Sequence, residues 1–369
     1  MKYLHIILLV GFCVSLSGQD SQFLPISVGF YNVENLFDTK NDTLIDDEEF
    51  LPEGKKAWTP EKYNEKIANV ASVISLLGKE LCPEGLSLLG VSEIENREVL
   101  EDVVAHPLLK SRNYAVLHHQ SKDKRGIDVA MIYDKDNYDP IAQSAYTVNI
   151  FDKGAYESED LTTDDKDQAS LDADEEEDDS DRRYTRDVVL YTGLLFGEKI
   201  HITVNHWPSR GGGEKRSAWK REAAAKVNRG ILDSLLLDDP SARLIVMGDL
   251  NDNPDNKSLT QCMNAKRKYK KVDEGEFYNP MYDIYQNGNG TTAYRDRWSL
   301  FDQIVVSEGL LRKSDENFHF QKAVVFNKKF LLETKGKYKG YPKRTFNFDV
   351  YQGGYSDHLP VVAYFLKQI

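Results

Sequence analysis

The amino-acid sequence predicts a layered domain of the α/β or α+β class. Short β-rich runs alternate with amphipathic stretches of helical period along most of the chain. Two of those runs, 187–196 and 199–205, follow one another with no helix between them and read as an antiparallel hairpin, which excludes a purely parallel sheet. Apolar residues make up 40% and charged residues 29% of the 369 residues, a globular composition on a chain long enough to bury a substantial core. In order, strands are expected over 25–32, 86–92, 114–119, 128–133, 187–196, 199–205, 243–248, 302–306 and 360–366. One helix follows Trp58. Thr59 is a good N-cap and Pro60 suits the first helical position. Tyr63, Ile67, Val70, Ile74 and Leu77 then share a face, and Gly78 is placed to end it. A second helix is expected over 217–237, burying Ala223, Val227, Ile231 and Leu235.

The two ends of the charge distribution say different things. The formal net charge of -13 argues against a polyanionic partner. Residues 156–183, however, hold fourteen acidic and three basic residues, so they carry -11 and leave the rest of the chain at about -2. The segment over about 155–183 is too poor in apolar residues to repay its ordering entropy and is expected to be a disordered insertion within a single domain spanning 19–369. It lacks the central Gly and final Glu of a calcium-binding helix–loop–helix. Residues 1–18 read as a signal peptide: Lys2, an apolar run from Ile6 to Val14, then small residues with a cut expected near 17–19. The expected location is therefore secreted or periplasmic. The run is too short to span a bilayer, and no later stretch is apolar enough. Past that cut only Cys82 and Cys262 remain; a disulfide and two free thiols are both compatible with their spacing.

Polar motifs collect where the expected strands end, the place where a sheet scaffold presents chemistry. They are YNVENLFDT (31–39), GVSEIEN (90–96), DKRGID (123–128), the Arg of YTRDVV (184–189), VNHWPSR (204–210), MGDLND (247–252), LFDQIVVS (300–307) and YSDHLPV (355–361). Carboxylates, carboxamides, two His and Arg predominate, and no Ser or Cys nucleophile elbow is present. Oxygen ligands favour Mg²⁺, with Mn²⁺ as the alternative, over zinc. Hydrolysis of an anionic phosphoester asks for this set: a cation to offset the phosphate charge, a base to activate water, and positive groups for the transition state.

In this order, from about Ile26 to Leu366, the motifs resemble the endonuclease/exonuclease/phosphatase superfamily, in particular its deoxyribonuclease-like and secreted bacterial nuclease branches. The resemblance implies a four-layer α/β/β/α sandwich of two packed mixed sheets with the active site at one rim. It implies Glu93 as metal ligand, Asn32 and Asp357 beside the metal, and Asp249 with Asn251 to activate and orient water. It further implies His206 and the Asp302–His358 pair at the reacting phosphate, and Arg186 and Arg125 as phosphate-binding residues. Asp302 is expected to hold the far ring nitrogen of His358 and to raise its pKa. The deoxyribonuclease branch pairs its central His with a Glu; RGIDVAMIY offers no Glu, and Asp128 is the nearest candidate for His206.

A monomeric nuclease acting on nucleic acid is the first functional expectation, with Lys122, Lys124, Arg125, Arg210, Lys215 and Arg216 as backbone-binding candidates. A phosphatase or phosphodiesterase on a lipid head group or small phosphate ester, sphingomyelinase-like, is the second. RWSLFDQI departs from the Pro-Ala-Trp-Cys/Thr-Asp-Arg run of the inositol-phosphate branch and argues against it. A catalytically dead binding module of the same fold is the third.

Overall fold

The computed structural model describes residues 23–148, 150–151, 182–183, 185–313 and 317–369. The expected signal peptide, and the acidic insertion apart from 182–183, lie outside the described residues.

Eleven strands carry the architecture: β1 (Phe23–Leu36), β2 (Leu88–Ile94), β3 (Tyr114–His118), β4 (Asp128–Asp134), β5 (Tyr138–Tyr146), β6 (Val188–Leu195), β7 (Glu198–His206), β8 (Leu244–Asp249), β9 (Asp302–Ser307), β10 (His319–Val325) and β11 (Val361–Gln368). The first sheet runs β10-β11-β1-β2-β4-β3. The second runs from the two-residue strands Ala265–Lys266 and Phe277–Tyr278 through β9-β8-β7-β6-β5. Both sheets are mixed: β1 pairs antiparallel with β11 and parallel with β2, and β8 pairs antiparallel with β9 and parallel with β7. The expected hairpin forms as β6 and β7, closed by Phe196 and Gly197 at φ 50° and 79°, the backbone of a type I′ turn.

Alternation along each strand sends one set of side chains inward and the other outward. Inward, Val28, Phe30, Leu88 and Met131 of the first sheet meet Ile202, Val204, Ile245 and Met247 of the second in one buried cluster. Gly90 is the close point, since a Cβ there would lie 2.5 Å from Met247 Sδ. Outward from the first sheet, Tyr31, Val33 and Val91 pack on Ile67, Val70 and Ile74 of α1 (Pro60–Ile74) and on Val99 and Val103 of α2 (Arg97–Ala105). Outward from the second, Leu244, Val246 and Val305 pack on α3 (Glu214–Asp238). Helix, sheet, sheet and helix thus form four layers.

Three elements depart from expectation. β5 and β10 carry no alternating apolar pattern because both are edge strands; β5 is exposed beyond Tyr138 and breaks register at Pro140. α3 is rolled away from the expected stripe: it buries Ser217, Arg221, Ala224, Ala225, Asn228, Ile231 and Leu232, while Ala223, Val227 and Leu235 are only partly covered. Buried polar groups on that face satisfy one another, which apolar periodicity alone does not register. Cys82 and Cys262 are free thiols. Among the described residues no helix is long and apolar enough to cross a membrane.

Candidate active site

Strand register brings the motifs together. In the second sheet Asp249, the last residue of β8, sits opposite His206 at the end of β7 and opposite Asp302 at the start of β9. In the first sheet Asn32 on β1 sits opposite Ser92 on β2, one residue before Glu93. The two sheet ends coincide, and Asn32 joins them: its Nδ2 donates to Glu93 Oε1 at 2.8 Å and to Asp249 Oδ2 at 3.0 Å. Glu93 is in the left-handed region (φ 62°), as are Glu34 and Asn35 (φ 52° and 46°), and this bend lets the Asn35 amide donate to Glu93 Oε2 at 3.0 Å. His358, in the turn before β11, pairs through Nδ1 with Asp302 Oδ2 at 2.6 Å.

Asp249 Oδ2 is the hub. Besides Asn32, it has His206 Nε2 and His358 Nε2 each 3.8 Å away, while His206 Nε2 is also 3.9 Å from Glu93 Oε1. Glu93, His206 and Asp249 form one group able to hold a metal ion; Asp249, Asp302 and His358 form another. Two carboxylates with one imidazole in the first group suit a hard divalent cation.

Burial sets the protonation pattern. It pushes the Asp249 carboxyl up to about 6, with Asp302 adding to the rise and His358 opposing it. Burial raises Glu93 as well, reinforced by the negative charge of Asp357. The two histidines go opposite ways. Burial, then the Arg186 and Arg125 charges, hold His206 well below the ordinary imidazole range, so it is neutral. Burial disfavours a charge on His358 too, but Asp302 and Asp249 overcome it and hold the pKa well above that range, so it is a cation at neutral pH.

Several supporting residues were not singled out by their motifs. Asn205 Nδ2 donates to Met247 O at 3.0 Å, and its Oδ1 accepts from Trp207 Nε1 at 3.1 Å and from Asn228 Nδ2, locking the ends of β7 and β8 to α3. Arg221 is fully buried and donates to Asp252 Oδ1 at 2.6 Å and to Ser209 O at 3.0 Å, clamping the GDLND and WPSR loops together. The only sequence trace of this network is a set of polar residues at helical spacing, Ser217, Arg221 and Asn228, on a long helix. Gly248 completes the arrangement: a Cβ there would collide with the Asn205 carbonyl oxygen. Gly248→Ala is expected to force β7 from β8 at a cost of about 1–3 kcal/mol. Both the urea midpoint and turnover should fall, and a variant stable and active as wild type would show that the strands are not so tightly apposed.

Other expected site residues are placed differently. Asn251 reaches Asp249 through its backbone: its φ is 50°, its amide N donates to Asp249 Oδ1 at 3.0 Å, and its side-chain Nδ2 donates to Trp207 O at 3.0 Å. Asn32 faces the carboxylates with its nitrogen and accepts the Glu34 amide on its Oδ1 at 2.9 Å, so in this arrangement it positions the Glu93 and Asp249 carboxylates. Arg186 is buried, bonded to Asp123 Oδ2 at 3.1 Å and Trp207 O at 3.0 Å; it acts on the site through charge and is not extended toward a flanking phosphate. Arg125 lies beside the same Asp123, with Nη2 3.4 Å from Oδ2. Arg210 is buried against Glu214 and Asp252 and leaves the set of backbone-binding candidates. Asp128 pairs with His118 at 2.9 Å, not with His206, whose Nδ1 is buried with no hydrogen-bond partner among the described residues. Asp357 is taken by Arg344 at 2.7 Å and stands outside both metal-capable groups.

A family model described as the Endonuclease/Exonuclease/phosphatase family matches residues 27–177 and 156–367. The chain belongs to this family. It is accordingly a phosphoester hydrolase with the family's two-sheet fold. Among solved structures, an endonuclease/exonuclease/phosphatase family protein from Bacteroides thetaiotaomicron is similar at 15% identity and TM-score 0.51, covering 95% of this chain and 97% of the other. The mannosyl-6-phosphatase of Bacteroides thetaiotaomicron VPI-5482 is similar at 15% identity and TM-score 0.50, over 92% and 99%. Humanized D. rerio TDP2 is similar at 11% identity and TM-score 0.50, over 92% and 98%. At these identities the likeness speaks to fold alone. No curated protein matches the sequence.

Proposed function

We propose that this family member is an exported, metal-dependent nuclease that hydrolyses phosphodiester bonds by in-line attack of water. The observation that carries hydrolysis is the hub at Asp249 Oδ2, where a buried carboxylate stands 3.8 Å from a neutral His on one side and a cationic His on the other. The Asp249 carboxylate accepts the proton of the attacking water. The Asn251 amide and Asn32 Nδ2 hold its two oxygens and fix its orientation. The His358 cation, aimed by Asp302, stabilises the charge that develops on the phosphoryl oxygens. Neutral His206 turns the lone pair of Nε2 toward Glu93 and Asp249 without adding charge. Glu93, Asp249 and His206 would hold the divalent cation, Mg²⁺ or Mn²⁺, whose Lewis acidity supplies polarisation of the phosphoryl group. Nucleic acid as substrate is supported by the YNVENLF, SEIEN and NHWPSR motifs; export is supported by residues 1–18.

A phosphatase or phosphodiesterase on a small or lipid phosphate ester is the second reading, favoured by an overall likeness to a mannosyl-6-phosphatase equal to that to TDP2. Incubating the purified protein with plasmid DNA, RNA, sphingomyelin and sugar phosphates, each with Mg²⁺ or chelator, separates the two. Cleavage of DNA or RNA that chelator abolishes is the expected result; turnover of sugar phosphate or sphingomyelin alone would overturn the nuclease reading.

The pH profile has a worked sign. Asp249 must be deprotonated to accept a proton, so activity rises with pH through its pKa, at about 6 without metal and lower beside a bound cation. His358 must keep its proton, so activity falls only well above the ordinary imidazole range. A kcat/KM profile with its acid limb at or below pH 6 and its alkaline limb above pH ~8 is expected. An acid limb above pH ~7 with no alkaline limb would mean that His358 works as a neutral base.

A further inference from the structure

A second charged feature lies beside the site. Residues 328–344 contain seven basic residues and one acidic residue, a net of +6 in a chain of -13. Of the seven, only Arg344 is ion-paired among the described residues, to Asp357. Lys328, Lys329, Lys335, Lys337 and Lys339 are exposed. Rings alternate with the lysines: Lys337 lies 5.5 Å from the Tyr338 ring and Lys343 6.0 Å from Tyr355, while exposed Phe330 packs edge-on against Tyr355 at 5.4 Å.

The segment is fastened to the catalytic rim. Arg344 holds Asp357, the neighbour of His358; the Thr345 amide donates to Glu34 Oε2 at 2.6 Å, two residues from Asn32. Fully buried Lys66 donates to Tyr355 O at 2.8 Å and to Thr345 Oγ1 at 2.5 Å. Beyond Thr345 the chain makes a tight hairpin, Phe346–Asn347 against Val350–Tyr351. At its tip Phe348 is 67% exposed and in the left-handed region, φ 53°, where a bulky side chain is strained. Lys56 Nζ pins the tip through Phe348 O at 3.1 Å, and Lys55 and Lys56 neutralise Asp349. An aromatic ring held outward at a conformational cost, three residues past the Thr345 anchor at the catalytic rim, has no intramolecular task that would retain it.

We propose that residues 328–348 form the surface that holds a nucleic-acid strand beside the reacting phosphate, with lysines on flanking phosphates and Phe348 stacked on a base. This rests on the nuclease reading above. Planar rings interleaved with point cations suit a polymer that alternates bases and phosphates. An anionic membrane is less well matched, because the apolar tip is only Phe348 and Val350 with Asp349 between them.

Two variants test it, neither touching the catalytic cluster: the triple K335Q/K337Q/K339Q and the single Phe348→Gly. Binding of a fluorescein-labelled single-stranded oligonucleotide is read by anisotropy in chelator, and kcat/KM is read with Mg²⁺ on the oligonucleotide and on bis-p-nitrophenyl phosphate. The triple variant should bind the oligonucleotide about 10-fold more weakly, and its slope of log affinity against log salt should flatten by about 2. Phe348→Gly should weaken binding about 10-fold without lowering Tm, because it removes a stacking ring and relieves the backbone together. Hydrolysis of the small diester should be unchanged in both. A wild type that cleaves the oligonucleotide while both variants match it in affinity and salt slope would overturn this surface and leave the nuclease reading intact. A wild type that neither binds nor cleaves the oligonucleotide yet hydrolyses the small diester would overturn the nuclease reading itself. Binding of phosphatidylserine-containing vesicles in preference to the oligonucleotide, lost in the triple variant, would reassign the segment to a membrane and overturn the proposal.

Discussion

Asp249→Asn is expected to lower kcat by at least ~10²-fold, the usual worth of a positioned general base, with little change in substrate affinity. The substitution is nearly isosteric, and one amide oxygen can keep the Asn251 amide bond. What it removes is the proton acceptor at Oδ2. The new NH₂ also faces Asn32 Nδ2, donor against donor, where 3.0 Å now separates a donor from an acceptor. Both effects fall on the reacting geometry and neither on the core, so Tm should change little. Initial rates on the preferred substrate decide the matter. A variant altered in KM alone would assign Asp249 to binding, and a variant at wild-type kcat would remove it from catalysis.

Arg221→Leu is expected to destabilise the fold by about 3–5 kcal/mol, the cost of breaking a buried ion pair by removing one partner. Arg221 is fully buried, and its loss strands Asp252 with Ser258 Oγ at 2.7 Å and a long contact to Arg210 at 3.4 Å. Ser209 O, Ser217 Oγ and Glu214 O lose donors at the same time. Activity should fall with the fold, because Asp252 anchors the loop that carries Asp249 and Asn251. The double variant Arg221→Leu/Asp252→Leu should recover a part of the stability, since a missing pair is tolerated better than an unpaired charge. Urea unfolding midpoints of the two variants give the comparison. A single variant within ~1 kcal/mol of wild type would show that the clamp contributes nothing net.

Much of the site is legible in the sequence because its residues lie at strand ends. A β-strand announces itself locally, through a period of two and a polar break where it stops, and Asn32, Glu93, His206, Asp249 and Asp302 all stand on or at the ends of such runs. α1 is equally legible, since Thr59, Pro60 and the apolar stripe are local signals. The pairing of Asp302 with His358 follows from a family resemblance, and the 2.6 Å contact gives it a geometry.

Tertiary structure alone decided which polar groups meet. Arg186, Arg210 and Arg221 look alike in the sequence, yet Arg186 is buried against Asp123, Arg210 against Glu214, and Arg210 and Arg221 share Asp252, a choice made by how loops pack over the second sheet. The same packing gave Asp128 to His118 and left His206 Nδ1 without a partner among the described residues. It also rolled α3 until Arg221 and Asn228 faced inward. The sequence by itself determined the main strands other than β5 and β10, the family and the chemical types at the rim, because hydrophobic period and residue type are properties of a local run. The neutral state of His206 was decided only by the fold, because burial and the charges of Arg186 and Arg125 set it; the raised His358 pKa was expected from its pairing with Asp302, and the fold adds Asp249 beside it.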